Sequence, residues 1–446
     1  MTQLVEDRHD TYLAAFERLQ RDVVVPSPIA AMRDRGFERF SALGFPTTKL
    51  ESWRFTNIAP IANTNFALAE PAEVAPSVLA PYELHGVANA QIVVVNGRVA
   101  RDLSREAGLP NRVEVRSLAD VLADDPESLA SQLGQLADVE GRAFTALNTA
   151  LLDDGVVVRI PDHTIVETPI HLLFVTTPER DRMTHPRVLV VAGEGSQVRL
   201  VESYAGLGDA RYFTNAVTEI IGGQNAVIDH YKLLRESSEA FHIGSMHVTL
   251  ARNANFASHA ITFGGAIVRN DVDADLGGEG VACTLNGLYL AMGHRLVDNH
   301  TTIRHTQPHC TSHELYKGIL DDQAHAVFNG KIIVSIDAQK TDAKQTNKAL
   351  LLSEDAQINT KPELEIFADD VRCTHGATIG QLDEDAIFYM QTRGLAREQA
   401  RGVLIHAFAS DLLNRIGIEP IRAQLDALLL QQLPGFVGGM FHEQPH

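Results

Sequence analysis

Between residues 186 and 380 the chain reads as one long series of short strand-like runs, and nothing within it holds a helical period long enough for a long helix. VLVVAG, QVRLVESY, NAVTEII, AVIDHYKLL, HVTLAR, GLYLAMG, AVFNGKIIV and LEIFADD follow one another across Gly, Asn and Asp turns. Small polar groups recur at GEGSQ (193–197), GGQN (222–225), RNAN (252–255) and GGEG (277–280). With Gly195, Gln224, Asn255 and Gly280 as markers, the steps are 29, 31 and 25 residues, room for two or three strands each. Such recurrence favours a coiled, all-strand body over strands alternating with helices. A right-handed parallel β-helix is the expected all-β core, because its coils tolerate unequal turns. A β-sandwich of similar strand count remains the alternative.

At 446 residues the chain is long enough for a large body with smaller flanking units. A formal charge of −19 offers no basis for nucleic-acid binding, which normally shows a basic patch. No run of eighteen apolar residues is present to span a membrane. The opening MTQLVEDRHD lacks the charged-then-apolar order of a secretory signal. Three scattered cysteines, Cys283, Cys310 and Cys373, do not make a disulfide framework. A cytoplasmic setting is therefore expected.

The flanks read differently. Tyr12, Phe16 and Leu19 share one face of a helix over 7–21, and a second helix over 27–43 has Ser27 as candidate cap and Pro28 at its start. The single tryptophan, Trp53, is expected to anchor packing rather than a ligand. Residues 67–81 have the composition of a linker, Asn96-Gly97 marks a hairpin, and 117–133 reads as two short helices broken near Pro126. Residues 144–161 read as a return to strand with Gly155 as a turn. After 380 three helices are expected: one from the cap Asp383 to Gly394, one over 395–417 with Leu404, Phe408 and Leu412 in a stripe, and one over 419–433. That stripe is compatible with a docking surface and, equally, with packing onto the body. The domain division expected is 1–75 helical, 76–150 mixed, 151–382 β-helix and 383–446 helical.

Walker, dinucleotide, nucleophile-elbow and HExxH motifs are all absent. Two His/Cys patches remain. The first, 299–314, holds His300, His305, His309, Cys310 and His313, but adjacent residues of an extended chain face opposite sides. In the second, Cys373-Thr374-His375, the i,i+2 spacing puts Cys373 and His375 on one face of a strand. There they form half of a metal site, completed by another subunit, or else a packed thiol with a hydrogen-bonded histidine.

The stretch TKPELEIFADDVRCTHGATIGQLDEDAIFYMQTRGL at 360–395 resembles the SufD family, scaffold components of the SUF iron–sulfur cluster assembly machinery. TTKLESWRFTN at 47–57, ALNTALLDDG at 146–155 and HCTSHELYKGILDDQAHAVFNGKIIV at 309–334 agree, in order. The SufB paralogue is set apart by the absence of a cysteine in Gln345-Thr346-Asn347-Lys348 and by His375-Gly376-Ala377-Thr378-Ile379-Gly380.

The resemblance implies a β-helix with helical regions at both ends and a non-ATPase scaffold paired with a SufB-like paralogue. It also implies docking of a SufC-like ABC ATPase through 383–433. His375, with Cys373 beside it, would contribute to a transient iron or nascent-cluster site between subunits, no cofactor being stably held by the isolated chain. That chain would be able to form a homodimer. A purely structural scaffold and a carbohydrate-active β-helix enzyme are the competing readings.

Overall fold

In the computed structural model, which describes residues 2–23, 25–88 and 90–433, the strand runs stack into a parallel β-solenoid built from two sheets. From Gln197 onward, alternate strands go to alternate sheets, and each strand pairs in parallel with the one two places later. Each coil thus supplies one strand to each sheet. Apolar side chains from both inner faces fill the space between them in a continuous core from Ile92 to Ile358.

One corner explains the sequence rhythm. Gly195, Asn225, Asn253, Gly280, His309 and Lys340 all have φ between 56° and 72°. Each donates its backbone N–H to a carbonyl of the next coil: Gly195 to Gln224, Asn225 to Arg252, Asn253 to Glu279, Gly280 to Pro308, His309 to Gln339 and Lys340 to Asp370. Left-handed backbone is cheap for Gly and tolerable for Asn, so the small polar groups are the corner itself, repeated once per coil. Two of the sequence markers, Gln224 and Asn255, fall one and two residues from the true corner positions.

The two ends of the solenoid differ. At the N-terminal end, Arg98–Val99 and Glu114–Ser117 pair antiparallel with Ala90–Val95 and Gly155–Ile160. Asn96-Gly97 makes the expected hairpin, with φ of 51° and 86°. Helices Leu118–Asp124 and Pro126–Ala130 follow, broken where expected. At the C-terminal end, Gln357–Ile366 and Arg372–Gly380 each pair on one edge only, with Val334's and Leu350's strands respectively.

Several expectations need correction. Residues 143–150 are a helix, Ala143–Ala150, buried almost throughout, and strand begins only at Gly155. Its polar residues Thr145, Asn148 and Thr149 are buried along with the apolar ones, so no solvent-facing polar side marks it as a helix. Ser27 is the first residue of its helix and makes no side-chain cap bond. The linker-like 67–81 contains the two-residue strand Ala67–Leu68, paired with Arg182–Met183, and a helical turn at Pro76–Leu79.

The N-terminal helix Thr2–Asp22 buries Tyr12, Phe16 and Leu19 against Phe40 and Phe144, as its pattern predicts. Trp53 packs 5.5 Å from Phe144, and the Arg269 guanidinium lies 3.8 Å over its ring. Arg269 is itself buried between Asp271 and Asp298, and Thr56 donates to Asp298 at 2.5 Å. This cluster fastens the N-terminal segment to the solenoid.

The three C-terminal helices are Glu384–Thr392, Arg397–Leu413 and Glu419–Gln432; residues 434–446 lie outside the described part. Asp383 caps the first by accepting from the N–H groups of Asp385 and Ala386. Of the Leu404–Phe408–Leu412 stripe, expected to suit docking or packing, Phe408 and Leu412 pack into an apolar cluster with the body and Leu404 is half-buried outside that cluster. Leu412 is fully buried, and Lys317 lies against the Phe408 ring, donates to the Phe408 carbonyl at 2.9 Å and pairs with Asp411 at 2.6 Å. Large apolar exposure lies instead on the first helix, at Phe388 and Tyr389.

Candidate functional site at the open end of the solenoid

Strand Arg372–Gly380 takes its register from Asp342–Leu351, where Ala343, Gln345, Asn347 and Ala349 point into the core and alternate with outward Lys344 and Lys348. Ala343 pairs with Cys373, Gln345 with His375, Asn347 with Ala377 and Ala349 with Ile379. Cys373 and His375 therefore share the inward-facing side of the last coil. No further coil covers them: His375 and Ile379 are exposed and Cys373 is half-buried. Ile366, the last residue of the other sheet's final strand, and Phe367 just after it are exposed as well.

The pair has unequal chemistry. Cys373 packs beside Ile332, Val334 and Ala343, and burial raises its pKa, so the thiol keeps its proton in the isolated chain. Two side chains leave most of a metal's coordination positions unfilled. Among the described residues no group of three His, Cys, Asp or Glu side chains is placed to hold a metal ion.

The first His/Cys patch is dispersed by the fold. His300 pairs with Asp298 at 2.9 Å, and buried His305 bonds Ser312 at 2.8 Å. His309 is a left-handed corner residue, buried Cys310 donates to the Gly278 carbonyl, and His313 points outward. Periodicity of the corner is the signal that explains His309, and it becomes visible only when Lys340 is aligned with it.

Behind His375 runs a polar line that sequence reasoning missed. The column Leu285, Glu314, Gln345, His375 steps one coil at a time toward the open end. Glu314 is buried, neither carboxyl oxygen has a hydrogen-bond partner among the described residues, and burial pushes its pKa up to about 7. Gln345 reaches across to the opposite sheet, into space that only a glycine at 330 leaves free.

Deeper in the core Glu202, His230 and Lys232 are paired. Glu202 accepts from Tyr204, Thr218 and His230, and His230 bonds Ser258. Lys232, its pKa lowered to about 8 by burial, donates to Asn270 at 2.9 Å. Each such residue breaks an apolar alternation at an inward position, a signal that needs the coil register to be read.

Fold and site together define a parallel β-solenoid whose last coil presents two long edge strands, with Cys373 and His375 on one of them. Comparison with known proteins supplies the family. Residues 174–408 match the family described as "SUF system FeS cluster assembly, SufBD core domain", and residues 6–172 match "SufBD protein N-terminal region". The chain belongs to the SufBD family of SUF iron–sulfur cluster assembly proteins. It is 34% identical over 402 residues to an iron–sulfur cluster assembly SufBD family protein of Synechocystis, covering 88% of each chain. To the iron–sulfur cluster assembly protein SufD of Escherichia coli it is 32% identical over 395 residues, covering 88% of this chain and 90% of the other. SufD of Bacillus subtilis is 25% identical over 429 residues, with 94% and 96% covered.

Proposed function

We propose that this chain is the non-ATPase scaffold subunit of a SufBCD-type complex. In this reading its bare last coil receives a SufB-like paralogue, and His375 supplies nitrogen coordination to iron or a nascent cluster in the joint. The observation that carries the reading is the coincidence of Cys373 and His375 with the uncovered inward face of the last coil. Edge strands of ten and nine residues with exposed Ile366, Phe367 and Ile379 favour strand addition by a partner. Metal binding by Cys373 requires loss of its proton, and a cation brought into the joint lowers the thiol pKa. Cys373 is thus assigned a supporting part, taken up only once the site is complete.

The test is reconstitution of the complete complex with the wild-type chain or with His375→Ala, measuring iron and acid-labile sulfide together with subunit composition. The expected result is an intact complex with most of its cluster lost. Equal loading in both complexes would remove His375 from the site and leave a purely structural scaffold.

ATP chemistry is assigned to a SufC-like partner, in keeping with the absence of a Walker loop here. Because Phe408 and Leu412 are occupied by the body, docking is assigned to the exposed aromatic pair Phe388 and Tyr389. Phe388→Asp is expected to weaken ATPase binding by about tenfold or more while leaving the melting temperature within about 1 °C. Leu412→Asp is expected to unfold the helical region instead. Pull-down with matched thermal melts separates the two, and unchanged binding by Phe388→Asp would move the dock elsewhere.

A further inference from the structure

In a chain of formal charge −19, two half-buried arginines at one corner of the fold have backbone carbonyls, and no carboxylate, as their side-chain hydrogen-bond partners among the described residues. Arg235, at the end of strand Val227–Arg235, donates from Nη1 to the Pro81 carbonyl at 2.8 Å, and its guanidinium lies 4.6 Å from the Tyr82 ring centroid. Arg295, on the turn before strand Leu296–His305, has one contact, Nη1 to the Phe263 carbonyl at 3.4 Å. Burial lowers the pKa of both, and neither forms an ion pair among the described residues. Elsewhere in the fold the buried guanidiniums of Arg187 and Arg269 each have a carboxylate partner, while that of Arg33 has the Val23 carbonyl.

Both arginines line one open groove of about 490 Å³ at the corner of the solenoid beneath helix Glu419–Gln432. Gly206, Gly208, the hydroxyl-bearing Ser237 and Ser238, and the apolar Phe263 and Leu428 also line it. Glu236, which also borders it, is turned away into bonds with Tyr212 and His242. Asp209 sits on the same border.

We propose that this groove binds a phosphoryl group carried by a small molecule. A guanidinium fork matches phosphate oxygens in pairs, and a partly desolvated guanidinium binds an oxyanion more strongly than one in open water. The two forks supply the charge, Ser238 adds a hydroxyl donor, and Phe263 and Leu428 receive the body of the ligand. The site lies outside the last coil and is independent of the assignment of His375.

The experiment is a thermal-shift titration of the full chain at fixed ionic strength with inorganic phosphate, glycerol phosphate, pyrophosphate and citrate. A ligand that binds only the native state raises the melting temperature saturably. The expected result is saturable stabilisation by the phosphate compounds, with the half-saturating concentration raised about tenfold or more by Arg295→Gln. A stronger response to glycerol phosphate than to inorganic phosphate assigns an organic phosphate, and the reverse assigns the free ion and overturns the small-molecule carrier. Arg295→Gln removes a desolvated, unpaired cation, so the variant is expected to fold.

Ser238→Asp, at an exposed position, places a negative charge in the groove lining and is expected to abolish the response without disturbing the core. A response to citrate alone would overturn the phosphoryl assignment. No saturable response, or the same response in both variants, would overturn the site. Cluster loading with His375→Ala is unaffected by either outcome.

Discussion

Arg187→Met is expected to cost about 3–5 kcal/mol of folding stability, the usual loss when one partner of a buried ion pair is removed. Arg187 and Glu219 have no side-chain exposure and meet at 2.6 Å. Arg187 also donates to Asn148 of helix Ala143–Ala150, and Glu219 accepts from the backbone N–H groups of Gly134, Leu136 and Ala137. The pair joins two coils to a helix and a loop. Burial pushes the Glu219 carboxyl upward, but the Arg187 charge and the backbone donors outweigh it and hold its pKa below the ordinary value.

Without Arg187 that balance reverses. The variant's deficit should shrink as pH falls and Glu219 takes up a proton. Urea denaturation at neutral and mildly acidic pH checks both points. The double variant Arg187→Met/Glu219→Gln should lose less than the two single changes summed. A single-variant loss under about 1 kcal/mol would show that the pair is not the joint described.

Glu314→Gln is expected to stabilise the protein at pH 8 by up to about 3 kcal/mol and to leave it unchanged near pH 4.5. The sign follows from the raised pKa, about 7 in the fold against 4.5 for the free group. Between those values the native state keeps a proton that the unfolded chain has released, so wild-type stability falls as pH rises through the window and is level above it. Glutamine keeps the shape and stays neutral, and its N–H groups have the unpartnered Gln345 and Thr301 oxygens within the same buried cluster as acceptors. Parallel denaturation curves for the two proteins at several pH values would show the difference opening between about pH 4.5 and 7. Curves that stay parallel would mean Glu314 is already satisfied in the folded chain.

The β-solenoid was legible because its corner demands left-handed backbone once per coil, and Gly195, Asn225, Asn253 and Gly280 advertise it. The same corner is silent where His309 and Lys340 occupy it, which is why His309 looked like a ligand. Cys373 and His375 were legible as a pair because strand periodicity is local. Whether that face was covered was not, since coverage depends on a neighbouring coil about thirty residues away in register.

Helix Ala143–Ala150 escaped because its polar residues are buried too, Asn148 and Thr149 on Arg187, so no solvent-facing polar side marks it. Glu314 escaped because a polar residue in a strand reads as outward until its register is known. The Leu404–Phe408–Leu412 stripe was read correctly as apolar, but sequence carries no information on whether the body or a partner covers it.

The unequal ends set a limit on growth. A β-solenoid bare at both ends would be a monomer for a fibre, since every added copy would present a fresh template. Here the N-terminal end finishes in short strands of two and four residues that reverse direction, while the long parallel edges lie at Gln357–Ile366 and Arg372–Gly380. Two such molecules, or two related ones, that met bare end to bare end would bury both long templates. Stacking would stop at two, with no need for a charge or proline to halt it, and the last coil would become the midpoint of a closed pair.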